Sequence, residues 1–271
     1  MTLFSILLMA SALGAGEDAV IGEAQAIDGC LVHAVQSKFQ RGTTEIRVLL
    51  PEARVPGEQF RVVYVLPVEA GRESRYGDGM AEVRMSDLAN QQRVIFVAPT
   101  FSHLPWYADS ADDPEIRQET YFLKVVVPFV ERTYAAKAEA SGRLLLGFSK
   151  SGWGAWSLLL RHPDLFGKAA AWDAPLAMEE LGKYGTRPIF GTPENFGQYR
   201  VADLLRAKAA EVKEGKRLIL TGYGNFRAEH ERTHALLDEL KIDHKYRDGP
   251  LRKHDWHSGW VAEAVELLVQ P

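Results

Sequence analysis

From residue 61 onward, short apolar runs rich in β-branched residues alternate with segments of helical period, and this alternation restricts the architecture more than any other property of the chain. Candidate strands cover residues 30–35, 45–50, 61–66, 93–98, 143–146, 168–172, 217–221 and 244–247. The first three follow one another through short turns, 51–58 among them, and predict an antiparallel meander at one sheet edge. Helical segments at 81–88, 119–134, 153–161, 201–212, 229–240 and 261–269 separate nearly every later pair. A strand can rejoin its neighbour in parallel only through a crossover of a dozen or more residues, which these helices supply. The expected fold is therefore α/β: a mostly parallel central sheet of about eight strands with helices on both faces. Residues 174–199, rich in Gly and Pro and without clear period, predict a long excursion over the site. The sequence contains no repeat or linker, so residues 17–271 read as one domain.

Residues 3–10 are apolar and residues 11–16 mostly small, which suits a signal-peptide core and its cleavage zone, although no Lys or Arg precedes it. The run is too short to cross a bilayer, and no other is long enough. The expectation is an export signal over 1–16 and a periplasmic or secreted mature protein, or a cytoplasmic one if 1–16 is not a signal. A net charge of −4 gives no pull toward nucleic acid or an anionic membrane. Cys30 is the single cysteine, so an internal disulfide framework is excluded.

The chemistry concentrates at residues 144–154, Leu-Leu-Leu-Gly-Phe-Ser-Lys-Ser-Gly-Trp-Gly. An apolar strand runs into Gly147-Phe148-Ser149 and a helical segment starts at once, the pattern that holds a serine at the tip of a sharp turn. Small residues are needed two positions either side of that serine; Gly147 fills one place and Ser151 stands where glycine is usual. A serine hydroxyl needs a base to take its proton. His254 follows the eighth candidate strand and precedes the last helix, at the sheet edge where open parallel sheets bind ligands. For the group that orients the histidine, the usual position after the seventh strand carries Asn225, which has no charge to offer an imidazolium. Asp173, at the end of the sixth strand, and Glu229 are the available carboxylates, and Asp173 is favoured because a strand-end acid among apolar residues needs a partner. The backbone N–H of Lys150, with one from the loop near Val68 and Glu69, is expected to form an oxyanion hole. The Lys150 ammonium either draws anionic substrates or is a solvated surface charge. Trp106, Tyr107 and Trp153 are expected to line an acyl or sugar pocket, a role that packing would explain equally well.

A rival motif is His230-Glu231-Arg232-Thr233-His234, whose two histidines share a helix face as zinc ligands do. Against it, His230 and His234 fall on the apolar stripe of Phe226, Leu237 and Leu240, and the extended form of the motif is absent.

With residues 147–155, His162-Pro163-Asp164-Leu165-Phe166-Gly167, residues 106–109 and His254-Asp255-Trp256, the chain resembles the esterase D and feruloyl-esterase-like branch of the α/β-hydrolases. The resemblance covers most of the chain. It implies a Ser149 nucleophile, a His254 base and carboxylic ester substrates, including acyl sugars and feruloyl groups. The departures are Ser151 in the turn and Asn225 at the acid position. The resulting expectation is a serine esterase acting on a small-molecule ester, with no cofactor and no metal. The alternatives are an inactive scaffold that binds a ligand or partner, and a zinc hydrolase using His230 and His234.

Overall fold

In the computed structural model, which describes residues 12–15 and 17–270, eleven strands form one sheet. They are β1 (Ala12–Ala15), β2 (Ala19–Gly22), β3 (Gln25–Ile27), β4 (Cys30–Ser37), β5 (Thr43–Leu49), β6 (Arg61–Val65), β7 (Val94–Pro99), β8 (Arg143–Phe148), β9 (Lys168–Trp172), β10 (Leu218–Tyr223) and β11 (His244–Leu251). Their order is β1-β2-β4-β5-β7-β6-β8-β9-β10-β11, with β3 paired to β4. From β7 to β11 every pairing is parallel, and from β1 to the β5–β7 contact every pairing is antiparallel.

All eight candidate strands are present as β4 to β11. The three additional strands extend the antiparallel edge. They are three or four residues long and largely polar or small, so they lack the apolar run that marks a strand in sequence. Residues 1–11 and 16, which carry most of the expected leader, lie outside the described residues.

Among the described residues ten α-helices surround the sheet: α1 (Gly79–Met85), α2 (Leu88–Gln92), α3 (Gln118–Tyr121), α4 (Val127–Thr133), α5 (Lys150–Arg161), α6 (Arg187–Phe190), α7 (Pro193–Gly197), α8 (Val201–Lys208), α9 (Arg227–Glu239) and α10 (Val261–Val269). The segment expected as one helix over 119–134 is interrupted by a π-helical turn at Phe122–Val126. Pro128 follows it at the start of α4, where a missing N–H and a bulky ring break the regular ladder. The segment 174–199 is an excursion containing α6 and α7. It returns Tyr184 against Phe226, ring centroids 5.6 Å apart, at the carboxyl edge of the sheet.

Alternating residues of the central strands feed two layers, as the period of a pleated strand requires. Val62, Tyr64 and Leu145 pack in the layer that includes α5 residues Trp156, Leu158 and Leu159. Val63, Val65, Leu144 and Leu146 pack in the other, with Val83 of α1 and Val261, Val265 and Leu268 of α10. Both faces of the central strands are thus buried, and β7 and β8 are buried at every position. Among the described residues no helix is long and apolar enough to cross a membrane.

Candidate active site

β8 ends at Phe148 and α5 begins at Lys150, so Ser149 alone makes the turn between them. Its φ of 53° and ψ of −126° are strained for a residue with a Cβ. The turn is held from both sides: the Ser149 N–H donates to the Trp172 carbonyl at 3.1 Å, and the Ser149 carbonyl accepts from the Trp153 N–H at 3.2 Å. Gly147 is obligatory, because a Cβ there would lie 2.2 Å from the Ser151 carbonyl oxygen. A Cβ at Gly152 would lie 2.8 Å from that of Ala174. Ser151 is accommodated because its hydroxyl folds back into the turn: Oγ accepts from the Phe148 N–H at 3.0 Å and donates to the Phe148 carbonyl at 2.9 Å. Serine in place of glycine therefore staples the turn and does not weaken it.

The loop after β11 carries His254 to the same edge. Its Nε2 is 3.1 Å from Ser149 Oγ. Its Nδ1 makes a short hydrogen bond to Asp173 Oδ2. An ionised carboxylate only accepts, so Nδ1 bears the proton and Nε2 turns a lone pair to the serine. The imidazole is walled by Phe148 at 4.5 Å, Tyr76 at 5.4 Å and Phe226 at 5.7 Å between ring centroids. Its side chain retains 15% exposure, so one edge still faces solvent.

Asp173 lies one residue past β9, fully buried and at φ 42°. Burial works to raise its carboxyl, but the His254 bond and N–H donors of Phe226, Gly224 and Asn225 outweigh it and hold the acid below its usual range. The Asn225 N–H reaches its two oxygens at 2.7 and 2.8 Å, and the Phe226 N–H lies 2.7 Å from Oδ1. The loop after β10, the position at which sequence reasoning seeks the acid, thus donates its backbone to an acid from the neighbouring strand. Asn225 contributes its amide N–H, so its side chain need not be a carboxylate. Gly224 makes this approach possible: a Cβ there would stand 2.6 Å from Asp173 Oδ2 and 2.8 Å from the Arg252 carbonyl. Glu229, the other candidate acid, pairs with Arg232 at 2.7 Å.

His230, a ligand in the zinc alternative, is instead the buried residue that its place on the apolar stripe of α9 suggests. It is 1% exposed, and its Nε2 accepts the Ala174 N–H at 2.9 Å, fixing the turn that carries Asp173. Burial lowers its pKa to about 4, with the Asp173 charge opposing, so it is held neutral. His230 and His234 do not converge: His234 faces His244 on the surface side of α9. Glu231, the base that the zinc motif requires, pairs with Arg227 at 2.7 Å. The zinc-protease arrangement is therefore not formed.

Lys150 opens α5 directly behind the serine, and a helix start leaves its first N–H groups free of intrahelical partners. Its ammonium is pushed below the usual lysine range by burial, with Glu69 opposing, and is not a fully solvated charge. Glu69 is buried and accepts the Arg75 N–H at 2.6 Å. Trp106, Tyr107 and Trp153 are each 0% exposed. Trp106 and Trp153 meet edge to face at 5.4 Å, and Tyr107 Oη donates to the Pro67 carbonyl at 2.6 Å. The lining role expected of these three gives way to packing, because none presents surface to the opening. The opening is a cleft of about 770 Å³ bordered by Arg75, Tyr76, Asn225, Arg252, Lys253 and His254.

A strained serine at a strand-to-helix turn, with its histidine from after the last strand of this sheet, defines the α/β-hydrolase class. A family model described as "Putative esterase" matches residues 37–214. The chain belongs to this esterase family. Esterase Rv1288 of Mycobacterium tuberculosis is 26% identical over 137 residues, covering 49% of this chain and 29% of that protein. The chain thus matches less than a third of the length of that curated relative. Among solved structures, FphF from Staphylococcus aureus, a fluorophosphonate-binding serine hydrolase, superposes with a TM-score of 0.73 at 17% identity, covering 92% of this chain and 100% of that one. A ferulic acid esterase superposes with a TM-score of 0.66 at 19% identity, covering 91% and 97%.

Proposed function

We propose that the chain hydrolyses carboxylic esters through an acyl-enzyme on Ser149. The observation that carries this reading is the continuous hydrogen-bond line from Ser149 Oγ through His254 to Asp173. Ser149 Oγ attacks the ester carbonyl while His254 Nε2 takes its proton. The tetrahedral oxyanion is received by backbone N–H groups of Lys150 and Glu69. Support for the second donor lies in the exit of β6, where the Leu66 N–H bonds the Leu146 carbonyl at 2.9 Å and Tyr107 holds Pro67, so 67–69 run beside the serine turn. Collapse of the oxyanion breaks the bond to the alcohol, which leaves with the proton from His254. Water then attacks the acyl group, His254 takes its proton in turn, and the acid is released from Ser149. Asp173 keeps the Nδ1–H tautomer and stabilises the imidazolium formed in each half-reaction.

A fluorophosphonate probe tests the assignment directly. Labelling is expected on the wild type, absent in Ser149→Ala and largely retained in Ser151→Ala. Labelling that survives Ser149→Ala would show that another residue is the nucleophile. We also propose that residues 1–16 are an export signal, whose removal takes the edge strand β1 with it and leaves β2 as the edge of the mature sheet. Expression of the full chain with N-terminal sequencing of the product tests this, and an unprocessed N-terminus overturns it.

A further inference from the structure

We infer that the chain carries a divalent-cation site apart from the catalytic residues, formed by His234 of α9 and His244 of β11 with Asp238 behind them. His234 Nδ1 and His244 Nε2 face each other at 2.8 Å. The other nitrogen of each ring faces an oxygen, within hydrogen-bond distance for His244 and just beyond it for His234. His244 Nδ1 lies 2.8 Å from the Ile242 carbonyl oxygen, so it bears a proton and leaves Nε2 with a lone pair. His234 Nε2 lies 3.6 Å from Asp238 Oδ2, on the same face of α9 one turn on. Without an ion, the His234 Nδ1–H donates to His244 Nε2; a cation between the rings takes the place of that shared proton, which moves to His234 Nε2 on the Asp238 side.

Metal-bound imidazoles take this arrangement, one nitrogen on the ion and the other N–H on a carboxylate or backbone carbonyl. Two nitrogens each about 2.0–2.1 Å from a tetrahedral zinc stand roughly 3.3 Å apart, so the pair needs to open by only about half an ångström. One ligand atom from each of His234, Asp238 and His244 lies within 4.8 Å of the others. Asp238 is thus near enough to act as a third ligand as well as an outer partner. The Tyr246 ring stacks on His234 at 4.0 Å and fixes its plane. Access is open, since the His234 and Asp238 side chains are 34% and 63% exposed.

The ligand class is a borderline divalent ion that favours imidazole, of which zinc is the representative. When bound, it clasps α9 to the start of β11. The first of these elements follows the loop that holds Asp173, and the second leads to His254. The site rests on these side chains alone and does not depend on the esterase reading.

Titration calorimetry of the full chain with zinc alone, at neutral pH, tests the site. Wild type is expected to bind one zinc saturably and to gain thermal stability from it. His234→Gln and His244→Gln are each expected to lose at least a hundredfold in affinity along with the thermal gain, and Asp238→Asn about ten- to a hundredfold. Circular dichroism of each variant shows that it is folded, and His254→Gln serves as the control for metal held at the catalytic histidine. Absence of saturable binding to wild type overturns the inference. So does binding that His244→Gln leaves unchanged, or that His254→Gln alone abolishes.

Discussion

The distance of 2.6 Å between a notional Cβ on Gly224 and Asp173 Oδ2 makes this glycine a sensitive probe of the acid. Gly224→Ala must move either the carboxylate or the Arg252 carbonyl, and displacement of the acid turns the His254 ring away from Ser149. The expected outcome is a fall in kcat on a chromogenic ester of about a hundredfold, the usual cost of an ångström of misplacement, with KM little changed. Asp173→Asn keeps the shape but loses the charge, and is expected to lower kcat by about ten-thousandfold. Activity of Asp173→Asn within tenfold of wild type would remove Asp173 from the mechanism. The meeting of Ser149, His254 and Asp173 was legible in sequence because each ends or follows a strand at the same sheet edge. The donors to Asp173 were not, since backbone N–H groups carry no residue-type mark. The buried state of Trp106, Tyr107 and Trp153 was equally unreadable, because an aromatic near the serine turn reads the same whether it faces a cleft or the core.

At the scale of elements, α5 sits where it does because Gly154 lets it touch the Tyr107 ring. A Cβ at Gly154 would lie 2.1 Å from Tyr107 Cδ2, and that ring is tethered by its hydroxyl to Pro67 and is fully buried. Gly154→Ala is therefore expected to destabilise the fold by about 1–3 kcal/mol through overpacking, despite the better helix propensity of alanine. Denaturant unfolding measures it, and an unchanged or raised midpoint would mean that α5 can shift freely. Tyr107→Phe is the milder companion: it leaves the Pro67 carbonyl without its donor, at a cost of about 1 kcal/mol or more. The parallel strands were readable because burial on both faces demands continuous apolar runs, as in Leu144-Leu145-Leu146. The edge strands β1 to β3 were not, since short pairings are fixed by register against a neighbour, β4 for β2 and β3 and β2 for β1, and not by their own composition. The meeting of His234 with His244 has the same origin, because it depends on how β11 registers against β10 beneath α9.

For the whole molecule, burying His230 as a neutral ring makes folding stability depend on pH. Its pKa is lowered to about 4 in the fold from the ordinary 6.5, so below 6.5 the unfolded chain binds a proton that the folded chain refuses. Stability must then fall as pH drops from 6.5 towards 4, by about 3 kcal/mol over the window if this group acts alone. Asp173 acts in the same direction over a lower window: its folded pKa is depressed, so its contribution is complete above the ordinary carboxylate range and is lost as pH falls through the folded value. The two windows adjoin, and a variant separates them. His230→Gln keeps an acceptor for the Ala174 N–H but cannot titrate. Its unfolding free energy is expected to stay nearly flat between pH 6.5 and 4, where wild type declines, and both should decline below that. Parallel curves for the two proteins across the upper window would mean that His230 is not held neutral. Such a result would also remove it as the support of the Asp173 turn below pH 6.5, because a protonated ring has no lone pair with which to accept the Ala174 N–H.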